Sequence, residues 1–238
     1  MKLKVSIVYI TFFILTSCTI QYNVVSYSES SMDVVAEKDS SVAAVIAPYK
    51  TGVDSIMNEV LCISDLEMTK GRSQSLLGNF VTDLCLQQFA DKADVCIMNN
   101  GGLRASLPKG SITRGKIYEL MPFENELVVL ELDENDFLGL LDYLVSRGGE
   151  PFSGLSLIMK GKDEYSSYQI HNEVNFKIGD KVRVITSDYL ANGGDKMYFF
   201  KDKEQKKAGI KLRDAIINYC NSHDTISSKL DNRINIVE

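Results

Sequence analysis

Histidine is nearly missing from this chain. Of 238 residues only His171 and His223 are histidines, far apart and in polar surroundings. No His-x-His, Asp-x-His or HExxH pattern occurs. Hydrolytic metal centres draw on His and carboxylates together, so the chain cannot supply a His-rich zinc or two-metal site. It also lacks a CxxC pair, a G-x-S-x-G elbow and a P-loop. Those absences remove the common signatures of a zinc or redox pair, a nucleophile elbow and a Walker-type phosphate cradle, so an enzyme acting alone would need a less common constellation. Positive charge is not in excess: 26 Lys and Arg face 32 Asp and Glu, a net charge of −6. A nucleic-acid polyanion is therefore excluded as the expected partner. No repeat signals a solenoid. Past the N-terminus no apolar run approaches the ~20 residues of a membrane helix. Apart from Cys18, the cysteines are Cys62, Cys85, Cys96 and Cys220. Three of these lie inside apolar runs, which suits free, packed thiols.

What is present begins with an address. Lys2 and Lys4 precede an uncharged apolar run, Val5 to Leu15, and then small residues. This is the layout of an export signal, too short for a comfortable membrane span. Leu15-Thr16-Ser17-Cys18 resembles a bacterial lipobox. That resemblance implies cleavage before Cys18, a lipid on its thiol, and an exported bacterial lipoprotein facing the periplasm or cell surface. An ordinary signal peptide with Cys18 near the cut is the plainer alternative. Residues 1–17 are read as the signal, 18–41 as a Ser-rich tether, and 42–238 as one domain of about two hundred residues.

The body alternates helices and strands. Apolar spacings of three and four predict a helix over Val42 to Val60, with Pro48 in its first turns. A strand at Val60 to Ile63, a polar turn at Lys70 to Ser75 and a helix over Leu76 to Ala90 follow, with Ser available as a cap. Arg72, just ahead of that helix start, is either an anion contact or a solvated cation. Val95 to Met98 is a short buried strand, ending in Asn99-Asn100-Gly101-Gly102-Leu103-Arg104. Such a turn offers exposed amides and a cation, although by default it is a loop. A short helix over Thr113 to Leu120 is stopped by Pro122. Phe123 follows in the turn, either a lid on the core or a stacking platform. A strand at Leu127 to Leu132, a helix over Asp133 to Ser146, a strand at Leu155 to Met159 and a hairpin over Asp163 to Asp180 come next. In the hairpin Val174 and Phe176 are expected to face inward. A strand at Val182 to Thr186 leads to a second Asn-Gly-Gly turn, within Ser187 to Asp195. Lys201 to Lys207 reads as charged surface. A helix over Gly209 to Tyr219 and a strand at Ile234 to Ile236 close the chain. The alternation predicts a mixed α/β or α+β domain.

Three blocks, in order, carry a family likeness: Asn99 to Arg104, Met121-Pro122-Phe123-Glu124-Asn125, and Tyr189-Leu190-Ala191-Asn192-Gly193-Gly194-Asp195. Together they resemble the C-terminal domain of the 5′-nucleotidase and UDP-sugar hydrolase family. Leu76 to Phe80 is similar to that family's Met-Gly-Asn-Leu helix start. The resemblance implies a layered domain with β-sheets packed between helices. It implies a nucleotide or nucleoside as ligand, with Phe123 and Tyr189 sandwiching the base and Asp195 accepting from the ribose hydroxyls. Asn99 and Arg104 would hold the ribose and phosphate side, and Arg72 is a weaker candidate for a further family Arg. Two departures stand out: Asn100 replaces a family Gly, and Tyr189 replaces the usual Phe.

The family's metallophosphatase part, with its His, Asp and Asn ligands, has no counterpart here. No residue of this chain is nominated as catalytic and no metal is expected on it. The resemblance implies a substrate-binding lipoprotein acting in nucleotide hydrolysis beside a separate metallophosphatase chain that brings the divalent metals. The alternatives are a non-catalytic nucleoside-binding module at the surface, or a degenerate domain serving as an interaction surface.

Overall fold

A computed structural model describes residues 26–33, 36–161, 164–171 and 180–237. The signal, the lipobox and Cys18 lie outside them, as do Val174 and Phe176. Contacts divide the chain into Met1–Val45 and Ile46–Glu238. In the first unit, the described part of the tether is exposed and without regular structure up to Asp39. There Asp39 accepts hydrogen bonds from Ser41 N (2.8 Å) and Val42 N (3.2 Å) and starts helix α1, Ser40–Met57. The helix begins before the expected Val42, which puts Pro48 in its interior. Proline there removes one intrahelical hydrogen bond. Its apolar stripe is not core: Val45 is 68% exposed and Tyr49 76%. Periodicity identified the helix but not a partner for its face.

The remaining elements are strands β1 (Val60–Ser64), β2 (Val95–Ile97), β3 (Gly110–Thr113), β4 (Glu126–Leu132), β5 (Phe152–Ser153), β6 (Leu155–Lys160), β7 (Glu164–Ile170), β8 (Val182–Ser187), β9 (Lys206–Lys211), β10 (Thr225–Ile226) and β11 (Ile234–Val237). Helices are α2 (Leu76–Gln88), α3 (Arg114–Leu120), α4 (Glu134–Ser146), α5 (Asp188–Ala191) and α6 (Leu212–Asn221). Several helix starts follow from local chemistry. Ser75 Oγ accepts from Gly78 N at α2, and Thr113 caps α3. Asp133 and Asp136 form a reciprocal capping box at α4. These caps satisfy amides that the first turn leaves free. Short strands β3, β5, β9 and β10 carry no sequence signal of their own. β9 falls in the lysine-rich stretch expected to be plain surface, where pairing with β4 supplies the order.

Five strands, in the order β5-β2-β8-β4-β9, form the central sheet. Its middle strands are covered on both faces. Cys96, Leu127, Val129 and Ile185 enter one core with residues of α2, α3 and α6. Val95, Ile97, Val128, Leu130 and Val184 enter a second core with α4, β6 and β7. Such strands read as continuous apolar runs because neither face meets water. This is the expected mixed α/β layering of sheet between helices. Smaller sheets, β10-β1-β3 and β11-β6-β7, flank it. All four cysteines of the described residues are free and buried. Arg233, 7% exposed, ties the C-terminal strand in place through Asp83 (2.7 and 2.9 Å), Asp231 (2.7 Å) and Phe152 O (2.8 Å).

Topology places the site. β2 and β8 are parallel, with Cys96 opposite Ile185. Both strands therefore end at the same edge, and both Asn-Gly-Gly turns leave from it. β4 is antiparallel to β8, with Leu127 opposite Ser187. Its beginning, preceded by Phe123, reaches the same edge. Ligand sites in sheets with parallel strands form beyond the carboxyl ends of those strands.

Candidate functional site

At that edge lies a cleft of about 320 Å³ lined by Asn99, Gly101, Gly102, Arg104, Phe123, Asn125, Tyr189 and Asp195. Five residues singled out in the sequence, Asn99, Arg104, Phe123, Tyr189 and Asp195, meet here. Arg72 does not: it is exposed on its own loop, outside the cleft lining. Asn125, which the sequence offered only as part of a motif, is a sixth contributor.

The first turn is held from below. Buried Glu150 accepts Asn100 N at Oε2 (2.7 Å) and Arg147 Nε at Oε1 (3.1 Å). No positive φ is used between Asn99 and Arg104. The glycines provide space instead. A Cβ at Gly102 would sit 2.8 Å from Asn99 Oδ1, and one at Gly101 3.2 Å from Asn99 Nδ2. Asn100 in place of the family Gly is accommodated for the same reason, because the backbone there needs no left-handed φ. Arg104 donates to Gly101 O at 3.3 Å and pairs with no carboxylate among the described residues. Its charge is free for an anion.

The second turn does use left-handed backbone. Gly193 has φ +88°, Asp195 +49° and Lys196 +71°. For a residue with a Cβ this costs roughly 1–2 kcal/mol, and Asp tolerates it better than most. Hydrogen bonds hold Asp195 there. Its Oδ2 accepts Asn99 Nδ2 at 2.5 Å, and its Oδ1 accepts the Tyr189 hydroxyl at 3.0 Å. Its N–H donates to the same hydroxyl at 3.2 Å, and its carbonyl accepts the Tyr143 hydroxyl at 3.1 Å. Burial, then the Glu150 carboxylate, pushes Tyr143 up to about 12, which keeps it a neutral donor.

Phe123 stands in the third wall. It is 40% exposed, and Tyr189 is 45% exposed. The core-lid reading of Phe123 is thereby excluded: the ring faces the cleft. Its turn is braced by Arg213 of α6, 5% exposed, which donates to Met121 O (3.4 Å) and Phe123 O (3.3 Å), pairs with Glu124, and lies 4.2 Å from the Tyr118 ring centre. Arg213 and Lys211 hold Glu124 at about 2. Neither Arg213 nor Glu150 was found from the sequence. In the sequence Arg213 stands between Lys211 and Asp214, and Glu150 follows Arg147-Gly148-Gly149, so nothing local marks either as a buried charge.

Two aromatic rings, a pre-positioned carboxylate, a carboxamide and an unpaired guanidinium thus converge on one cleft. Among the described residues no three His, Cys, Asp or Glu side chains gather as a metal site would require.

The family described as "5′-nucleotidase, C-terminal domain" matches residues 55–202, more than half the chain. The chain belongs to this family. Over 113 residues it is 34% identical to endonuclease YhcR of Bacillus subtilis (strain 168), covering 46% of this chain and 9% of that protein. It is 25% identical over 213 residues to an apyrase of Tabanus yao, covering 76% of this chain and 38% of the apyrase. Among solved structures, the 5′-nucleotidase precursor from Thermus thermophilus superposes with a TM-score of 0.74 at 26% identity, over 85% of this chain and 44% of that one. This 5′-nucleotidase C-terminal domain therefore spans less than half the length of these relatives.

Proposed function

We propose that this chain binds a nucleotide or nucleoside and serves as the substrate-holding part of a 5′-nucleotidase-type hydrolytic activity. The observation that carries this is the cleft itself, where Phe123, Tyr189, Asp195, Asn99 and Arg104 line one volume. Phe123 and Tyr189 stack on the base, at about 1–3 kcal/mol per ring and with little regard for base identity. Asp195 accepts from the ribose hydroxyls through charge-assisted bonds. Asn99 and Arg104 take the ribose and phosphate side, where a planar, always-charged fork can pair with two oxygens.

Cleavage belongs to a separate metallophosphatase chain carrying the divalent metals. Holding base and ribose sets the phosphate for attack, which is a proximity effect. The names of the relatives, an apyrase and a 5′-nucleotidase precursor, agree with nucleotide chemistry. Export agrees with the N-terminal layout and with a matched cell wall protein of Listeria monocytogenes; a lipid at Cys18 would anchor the chain to the membrane.

The test is calorimetric titration of the purified chain with adenosine and AMP, followed by phosphate release from AMP with divalent metal, with and without an exported metallophosphatase. Saturable binding that Phe123→Ala weakens at least tenfold, the worth of about one stacked ring, is expected, with hydrolysis only when the second chain is added. Absence of saturable binding overturns the reading. EDTA-sensitive hydrolysis by the chain alone overturns the division of labour.

A further inference from the structure

The tyrosine at position 189 carries an atom that base stacking does not use. Its hydroxyl makes two bonds to one residue, donating to Asp195 Oδ1 (3.0 Å) and accepting Asp195 N–H (3.2 Å). The ring lies close over the following turn. A Cβ at Gly194 would come within 2.6 Å of ring atoms Cε1 and Cζ. Asp195 sits at φ +49°, in the left-handed region that is costly for a residue with a Cβ. Phenylalanine, with the same ring, would make neither hydroxyl bond.

We infer that Tyr189 is a positioning residue for the ribose as well as a platform for the base: its hydroxyl locks the Asp195 carboxylate in the orientation that reads a vicinal diol. This rests on the nucleoside reading above and extends it. A carboxylate offers about four lone-pair sites. Tyr189 and Asn99 Nδ2 occupy one on each oxygen. The remaining two match the two hydroxyls of a ribose. Both donors are neutral groups, a phenol and a carboxamide. Because Asn99 comes from the first turn and Tyr189 from the second, the carboxylate is clamped between the two walls. The site is therefore built to prefer ribonucleosides over sugars lacking the diol, with the preference set through the tyrosine hydroxyl.

The experiment compares adenosine with 2′,3′-dideoxyadenosine as titrants of the full chain, in wild type and Tyr189→Phe. Adenosine affinity should fall about tenfold in Tyr189→Phe, the worth of one hydrogen bond to a charged group. Dideoxyadenosine affinity should change less than about twofold, because the ring remains. Equal losses for both ligands, or no loss for adenosine, overturn the inference while leaving the nucleoside reading intact. Failure of wild type to bind either ligand overturns both. A second comparison guards against a folding defect: in the Asp195→Gly background, which suits the left-handed φ, Tyr189→Phe should shift adenosine affinity by less than about twofold. A full tenfold shift there would show that the hydroxyl does not act through Asp195.

Discussion

The two Asn-Gly-Gly turns look alike in sequence and are built on different physics. In the first, Gly101 and Gly102 have ordinary backbone angles and are small because the Asn99 carboxamide folds back over them. In the second, Gly193 is needed for its φ of +88°, and Gly194 for the space under the Tyr189 ring. The first turn is fastened by a buried acid, Glu150; the second by two tyrosine hydroxyls, Tyr143 and Tyr189. They meet at a single bond, Asn99 Nδ2 to Asp195 Oδ2. The same tripeptide can therefore mark a need for room or a need for left-handed backbone, and only its surroundings say which.

Substitutions by alanine separate these needs. Gly194→Ala should have the largest effect. Its methyl would lie 2.5 Å from Tyr189 O and 2.6 Å from the ring, and a backbone oxygen yields only by moving the chain. We expect a loss of about 3 kcal/mol in urea denaturation together with loss of nucleoside binding. Gly193→Ala should cost about 1–2 kcal/mol for the forced left-handed φ, since nothing lies closer than 3.5 Å to its added Cβ. Gly102→Ala should cost under about 1 kcal/mol, because its 2.8 Å neighbour is the tip of the Asn99 side chain, which can turn aside. Its binding should suffer more than its stability, since Asn99 then leaves Asp195. If Gly102→Ala destabilises as much as Gly194→Ala, the distinction between the turns collapses.

Acid gives the effect most remote from the cleft. Asp231, paired with Arg233, has its carboxyl lowered from 3.8 to about 2. A carboxyl lowered on folding stabilises above its ordinary value and loses that contribution as pH falls through its folded value. Stability from this pair should thus fade between about pH 4 and pH 2, and Asp231→Asn should flatten that part of a denaturation-versus-pH curve. The pair lies away from the cleft lining, so Asp231→Asn should leave nucleoside affinity at neutral pH unchanged.

Much of the secondary structure was legible because it rests on local chemistry. Ser75, Thr113 and Asp133 announced helix starts, and Pro122 an end. The middle strands of the central sheet, β2, β8 and β4, were legible as apolar runs. Helix α1 was legible in period only: Val45 and Tyr49 have the spacing of a buried face and remain exposed. β9 and β10 escaped because their order comes from partners β4 and β1, not from their own residues. Within the site, the ligand-facing residues could be named from three short blocks. The residues that hold them, Glu150, Tyr143 and Arg213, could not, because each acts across 50 residues or more of chain.

By itself, then, the sequence determined the alternation of elements, the family likeness of the three turns and the shortage of metal ligands. The tertiary structure alone decided that the turns share one edge. That follows from strand direction: β2 and β8 run parallel and β4 runs against them, and direction is fixed by long-range pairing that no local window contains. It also decided that the Tyr189 hydroxyl reaches Asp195. In the sequence that hydroxyl was one extra atom on an aromatic residue; in the fold, the left-handed turn brings the carboxylate to it.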